Sequence, residues 1–292
     1  MPESPHPPDR LAARRRDERA RRARRRRLGA GAALLVAALA VGAVAIAASG
    51  GGSSARAPRT GAAGDTLRVR LPAAPPPRLG PIPPARPGPA RVLTRGSPRR
   101  REVALTFDDG FCARCVARIV AVLRRTGAHA TFFPNGRYAD SWDRQAATIR
   151  ALVARGQLVV GNHTFSHLQA TAVGPAAFGA DLQRNEEWIE RTFHVTGRPY
   201  VRPPYGAYDQ GTLDAAGRLG YTTVVMWSGT VADSSPRTVP YLLNAIRYWA
   251  KPGAIILMHG NYPATPRALP EMLRILRSKR LRPVTIAELA RG

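Results

Sequence analysis

The sequence predicts an α/β protein whose strands close into a compact (β/α)7-type barrel, and three observations carry that prediction. From residue 100 onward, short apolar runs alternate with amphipathic stretches, the pattern of strand followed by helix. About seven such units fit into fewer than 200 residues, which suits one barrel better than two domains. Residues with chemistry collect just past the ends of the apolar runs, where a parallel barrel carries its functional loops. Strands are expected at 102–107, 129–133, 157–161, 199–202, 221–226, 254–258 and 282–285. Helices are expected at 114–126, 143–155, 175–193, 209–219, 238–250 and 266–279, with a short final one over 285–291.

Three segments precede this domain. Residues 1–27 hold 11 arginines against 4 acidic residues. Residues 28–48 are uncharged and apolar, and at about 1.5 Å per residue they span roughly 30 Å, one hydrocarbon core. They read as a single transmembrane helix. Arginines crowd its amino side, so the positive-inside rule places Met1 in the cytoplasm and the domain outside the cell membrane. A cleaved signal peptide is the competing reading, because Ala45-Ile46-Ala47 offers a small-x-small site that would make the protein secreted. The long charged region and long apolar run favour an uncleaved signal-anchor. Residues 49–99 turn to Gly and Ser, then to Pro, Ala and Arg, and are expected to be a disordered linker that holds the domain off the bilayer.

The formal charge of +26 would point to nucleic acid if it lay on one compact domain. It is instead divided as +7 over residues 1–27, +8 over 28–99 and +11 over 100–292. A topogenic role accounts for the arginine block, so no nucleic-acid partner is expected. Oligomeric state is not legible.

The most telling stretch is Val103 to Gly110. A buried-strand pattern stops at Asp108-Asp109-Gly110, and adjacent carboxylates leaving a strand end point in different directions. One can bind a metal while its neighbour serves as a base, although a solvated turn has the same composition. Further along, His163 and His167 are four apart, a spacing that puts both imidazoles on one face of a helical turn. With Asp109 they make three protein ligands and leave a position open, the pattern of a catalytic metal. Zinc suits two imidazoles and a carboxylate, and cobalt or nickel fit the same set. Arg202-Pro203-Pro204-Tyr205 follows the fourth strand, with Arg202 free to pair a carboxylate and the Tyr205 N–H free to face an oxyanion. His259 leaves the sixth strand on the same rim. Cys112 and Cys115 lack the second pair that a structural zinc site needs, so a local disulfide is the better reading, with a redox role the lesser one.

Thr106-Phe-Asp-Asp-Gly110, His163-x-x-x-His167, Arg202-x-Pro-Tyr205 and Leu257-x-His259, in this order, resemble the polysaccharide deacetylases of the NodB-homology type, carbohydrate esterase family four. The resemblance spans about residue 100 to the end and implies a distorted (β/α) barrel. It implies Asp109, His163 and His167 as metal ligands, Asp108 as general base and His259 as the acid for the departing amine. Arg202 would orient Asp108, and the Tyr205 N–H would share in holding the oxyanion. Leu257 would line the acetyl pocket, with Trp227 beside it in the substrate site. Where the family shows an Asp-Trp pair this chain has Asp233-Ser234, so Asp233 can orient His259 but the tryptophan wall is missing. The expected activity is removal of acetyl groups from an acetylated polysaccharide, with peptidoglycan N-acetylglucosamine the leading substrate. The alternatives are O-deacetylation of xylan and an inactive carbohydrate-binding member of the same fold.

Overall fold

The computed structural model describes residues 79–291. Residues 1–27, the apolar stretch 28–48 and the first part of the 49–99 segment lie outside them. Among the described residues no helix is long and apolar enough to cross a membrane.

The described chain is α/β, with every strand pair parallel. The strands are β1 (Arg91–Leu93), β2 (Glu102–Asp109), β3 (Ala130–Pro134), β4 (Leu158–Val160), β5 (Tyr200–Val201), β6 (Thr223–Val225), β7 (Gly229–Thr230), β8 (Ala254–His259) and β9 (Arg282–Val284). The helices are α1 (Ala113–Thr126), α2 (Ala139–Asp143), α3 (Ala146–Ala154), α4 (Ala170–Phe193), α5 (Gln210–Arg218), α6 (Val239–Trp249), α7 (Ala264–Ser278) and α8 (Ile286–Ala290).

The expected barrel is not a continuous hydrogen-bonded ring among the described residues. One sheet runs β4-β3-β2-β8-β7 with β9 on β2, and a second runs β1-β6-β5. Two isolated bridges link them, Asn162 with Val201 in parallel and, just past β1, Arg95 with Ala254 of β8 in antiparallel. Strand β2 is central. Its one edge takes β8 from Val103 to Asp108, so its other edge must hold β9 at Glu102–Ala104 and then β3 from Thr106 on.

The second departure concerns the linker. Arg91–Leu93, within the segment expected to be disordered, is a strand on β6. Leu93 O accepts the Met226 N–H at 2.8 Å, and Gly96 N–H reaches Gly253 O at 2.8 Å. The domain therefore begins before residue 100. Two apolar side chains, Val92 and Leu93, are too few to show a period, and β6 supplies the backbone partner that the local sequence could not announce.

Alternation along β2 decides where its acids go. Val103, Leu105 and Phe107 join the large cluster between this sheet and α1, α6 and α7, each contributing about 1.5–3 kcal/mol by burial. Ala104 belongs to the inner cluster with Phe133, Val225 and Ile255, so Thr106 and Asp108, two and four residues on, share that inner face. The helix expected over 143–155 is α3, with the short α2 added before it, and α4 starts earlier than expected but breaks at Gly174, with φ of 82°, just before Pro175. Thr285 and Glu288 form a reciprocal cap that starts α8.

Candidate active site

Every sequence-predicted site residue follows a strand on the carboxyl edge or sits at its end. Asp109 closes β2 in the left-handed region, at φ of 63°, and Gly110 follows at φ of 105°. A Cβ on Gly110 would lie 2.4 Å from the Trp142 ring, so only glycine fits this turn. Trp142 Nε1 donates to Asp109 O at 2.8 Å. Asp109 thus swings away from the inner face while Asp108 stays on it.

The two histidines do not share a helical turn as expected. Residues 163–167 are irregular, and Thr164 and His167 take left-handed φ of 62° and 56°. A β-branched residue there is strained, and the strain is held by Thr164 N–H on Asn162 Oδ1 and by Asn135 Nδ2 on the carbonyls of His163 and Thr164. The imidazoles still converge, with ring centroids 5.1 Å apart. Donor atoms of Asp109, His163 and His167 all lie within 4.8 Å of one another.

This set fits a cation. Asp109 Oδ1 is buried with no hydrogen bond, facing the His167 and His163 Nε2 atoms at 3.2 and 3.5 Å without bonding geometry. Its other oxygen accepts from Asn261 Nδ2 at 2.7 Å. His163 Nδ1 is engaged by Arg202 O at 2.6 Å, which turns Nε2 toward the acids. Burial opposes the Asp109 charge, but His163, His167, His259 and the Asn261 hydrogen bond bring its pKa below the ordinary value. Burial and the neighbouring His163 lower that of His167. An ionised carboxylate and a neutral imidazole are the states a metal requires.

Asp108 is separately held. Arg202, fully buried, donates through Nη1 to Asp108 Oδ1 at 2.7 Å and to Thr106 Oγ1 at 2.9 Å, and through Nε to Val225 O at 2.9 Å. The guanidinium lies 4.4 Å from the Phe133 ring centroid. Asp233 holds His259 from the far side. Its Oδ1 is 2.8 Å from His259 Nδ1, while Oδ2 accepts the His259 N–H and the Thr265 hydroxyl.

Asp108, Asp109, His163, His167 and His259 line a cleft of about 340 Å³ together with Tyr205, Trp227, Leu257 and Ser234. Tyr205 is at φ of 61°, and its exposed ring meets His167 edge to face at 4.7 Å. The sequence assigns no role to Asn261 or Thr265, and none to Thr106 beyond its place at the head of the Asp108-Asp109 motif. Thr106 was findable from strand alternation, whereas a lone Asn and Thr after His259 carry no sequence pattern. Cys112 and Cys115 are joined in a disulfide at the start of α1.

Burial alone would lower the His259 pKa, but the Asp233 hydrogen bond and charge, with Asp108 and Asp109, raise it from 6.5 to about 9. A folded value above the unfolded one gives stability that is complete below about pH 6.5 and lost as pH rises through about 9. In chelator, the unfolding free energy should fall by roughly 2–3 kcal/mol over that window, and Asp233→Asn should flatten the fall. Denaturant titrations at several pH values measure this, and a level profile for the unmutated chain would contradict the assignment.

The family model for polysaccharide deacetylase matches residues 95–224. A chitooligosaccharide deacetylase of Bradyrhizobium is 31% identical over 56% of this chain and 72% of its own. A peptidoglycan-N-acetylglucosamine deacetylase of Bacillus cereus is 28% identical over 65% of this chain and 69% of its own. Among solved structures, a CE4-family pseudoenzyme from Bacillus anthracis superposes with a TM-score of 0.62 at 28% identity, covering 69% of each chain. The chain belongs to the polysaccharide deacetylase family.

Proposed function

We propose that this protein is a divalent-metal-dependent hydrolase that removes acetyl groups from nitrogen on a cell-envelope polysaccharide, peptidoglycan N-acetylglucosamine being the leading substrate. The observation that carries this reading is one cleft in which a three-donor cation site adjoins a carboxylate and a histidine, each fixed by a buried partner. Zinc is the preferred ion for Asp109, His163 and His167. Bound there, it supplies Lewis-acid polarisation and a water of lowered pKa.

The chain's own groups handle the protons. Asp108, held by Arg202, takes a proton from the attacking water. His259, kept charged by Asp233, gives its proton to the amine as the C–N bond breaks. The Tyr205 N–H donates to the carbonyl oxygen as negative charge grows on it. Leu257 and Trp227 bound the space left for the acyl group. Relatives named for chitooligosaccharide and peptidoglycan support an N-acetylglucosamine polymer as substrate. The signal-anchor reading of residues 28–48 would keep the domain outside the membrane, close to that polymer.

A second reading, a glycan-binding member without turnover, is favoured by Ser234 in the place of the expected tryptophan and by the pseudoenzyme relative, of which a mutant has restored activity. Acetate release by the full-length chain from peptidoglycan, N-acetylglucosamine oligomers and acetylxylan separates the two. Release should be lost in chelator and regained with zinc. No release from any polymer, with zinc shown to be bound, would establish the binding protein instead.

A further inference from the structure

Phe111 is an exposed phenylalanine, 45% accessible, and only Gly110 separates it from Asp109. It does not stand singly, since two further aromatic rings pack against it. It is also unusually well fixed. Its N–H faces Asn261 Oδ1 at 3.4 Å, the side chain whose other end binds Asp109, and the next residue is tied to Cys115 by the disulfide. Tyr262 meets its ring edge to face at 5.4 Å, and Tyr138 lies tilted at 6.0 Å. These three aromatics follow β2, β8 and β3, the adjacent central strands, and all leave by the carboxyl edge that carries Asp108, Asp109 and His259.

We propose that Phe111, backed by Tyr138 and Tyr262, is a stacking platform for a sugar ring of the substrate chain. The ligand class is an uncharged pyranose, whose axial C–H face packs on an aromatic face. Phe111 does not line the cleft around His259, so the ring it receives is a neighbour of the one being deacetylated. A platform ordered beforehand by a disulfide, a hydrogen bond and two rings loses little freedom on binding. This inference rests on the glycan reading above and adds to it a requirement for chain length. It also assigns the disulfide a role, that of holding the segment that presents the ring.

The test is calorimetric binding of N-acetylglucosamine oligomers, one to five units long, to full-length zinc-loaded Asp108→Asn protein and to the same protein with Phe111→Ala. Removal of the ring should weaken the longer oligomers about tenfold and the monomer by less than about twofold, while Phe111→Trp should keep the affinity. Zinc affinity should be unchanged by Phe111→Ala, a sign that the neighbouring site is intact. Equal loss at every length, no loss, or no oligomer binding at all would overturn the platform. Failure of the hydrolase reading looks different: the unmutated chain releases no acetate, yet Phe111 still discriminates by length.

Discussion

Asp108→Asn should lower acetyl release by roughly 10²–10⁴-fold, the usual cost of losing a general base. Zinc binding and the fold should survive it. The amide oxygen can still accept from Arg202 Nη1, now 2.7 Å from Asp108 Oδ1, so the guanidinium keeps a partner. The cation donors belong to Asp109, His163 and His167, and none is altered. Steady-state acetate release set beside zinc titration of the same protein makes the measurement. Activity within tenfold of the unmutated chain would remove Asp108 from its assigned role. A chain with no turnover to lose, that is a binding protein, would show the same glycan affinity before and after the change.

The second large effect is on stability. Arg202→Met should destabilise the chain by about 3–5 kcal/mol, because it strands a buried carboxylate rather than removing a surface charge. Asp108 is itself buried beside it, and the carbonyl of Val225 would lose the Arg202 Nε donor. Burial by itself lowers the Arg202 pKa and only Asp108 opposes that, so neither charge is comfortable without the other. Combining Arg202→Met with Asp108→Asn should therefore recover part of the loss. Denaturant midpoints for the two single variants and the double variant close the cycle. A loss under about 1 kcal/mol for Arg202→Met, or strict additivity, would mean that the pair is not coupled as the geometry indicates.

Much of this site is legible in the sequence. Asp108-Asp109, His163, His167, Arg202 and His259 stand at strand ends, and strand ends are visible as the places where apolar runs stop. The α/β alternation was equally open to reading, since it depends on local periodicity. What escaped was whatever depended on a distant partner. The strand Arg91–Leu93 exists because β6 has a free edge, and a proline-rich neighbourhood disguises it. The division into two sheets follows from which edges happen to pair, a matter of registry across the whole domain.

The histidine pair shows the boundary most clearly. The spacing of His163 and His167 correctly announced that the two rings could meet, yet the helical turn invoked to bring them together is absent. Tertiary hydrogen bonds from Asn135 and Asn162 hold Thr164 in a strained conformation that no local preference selects. Sequence alone determined the chemistry on offer: which acids, imidazoles and guanidinium would be placed on one rim. Only the tertiary structure decided which oxygen of Asp109 stays free, which partner fixes Asp108, and that Asn261 and Thr265 support the site. Residue type and period are properties of a chain, whereas an unsatisfied buried oxygen and a strained dihedral are properties of its packing.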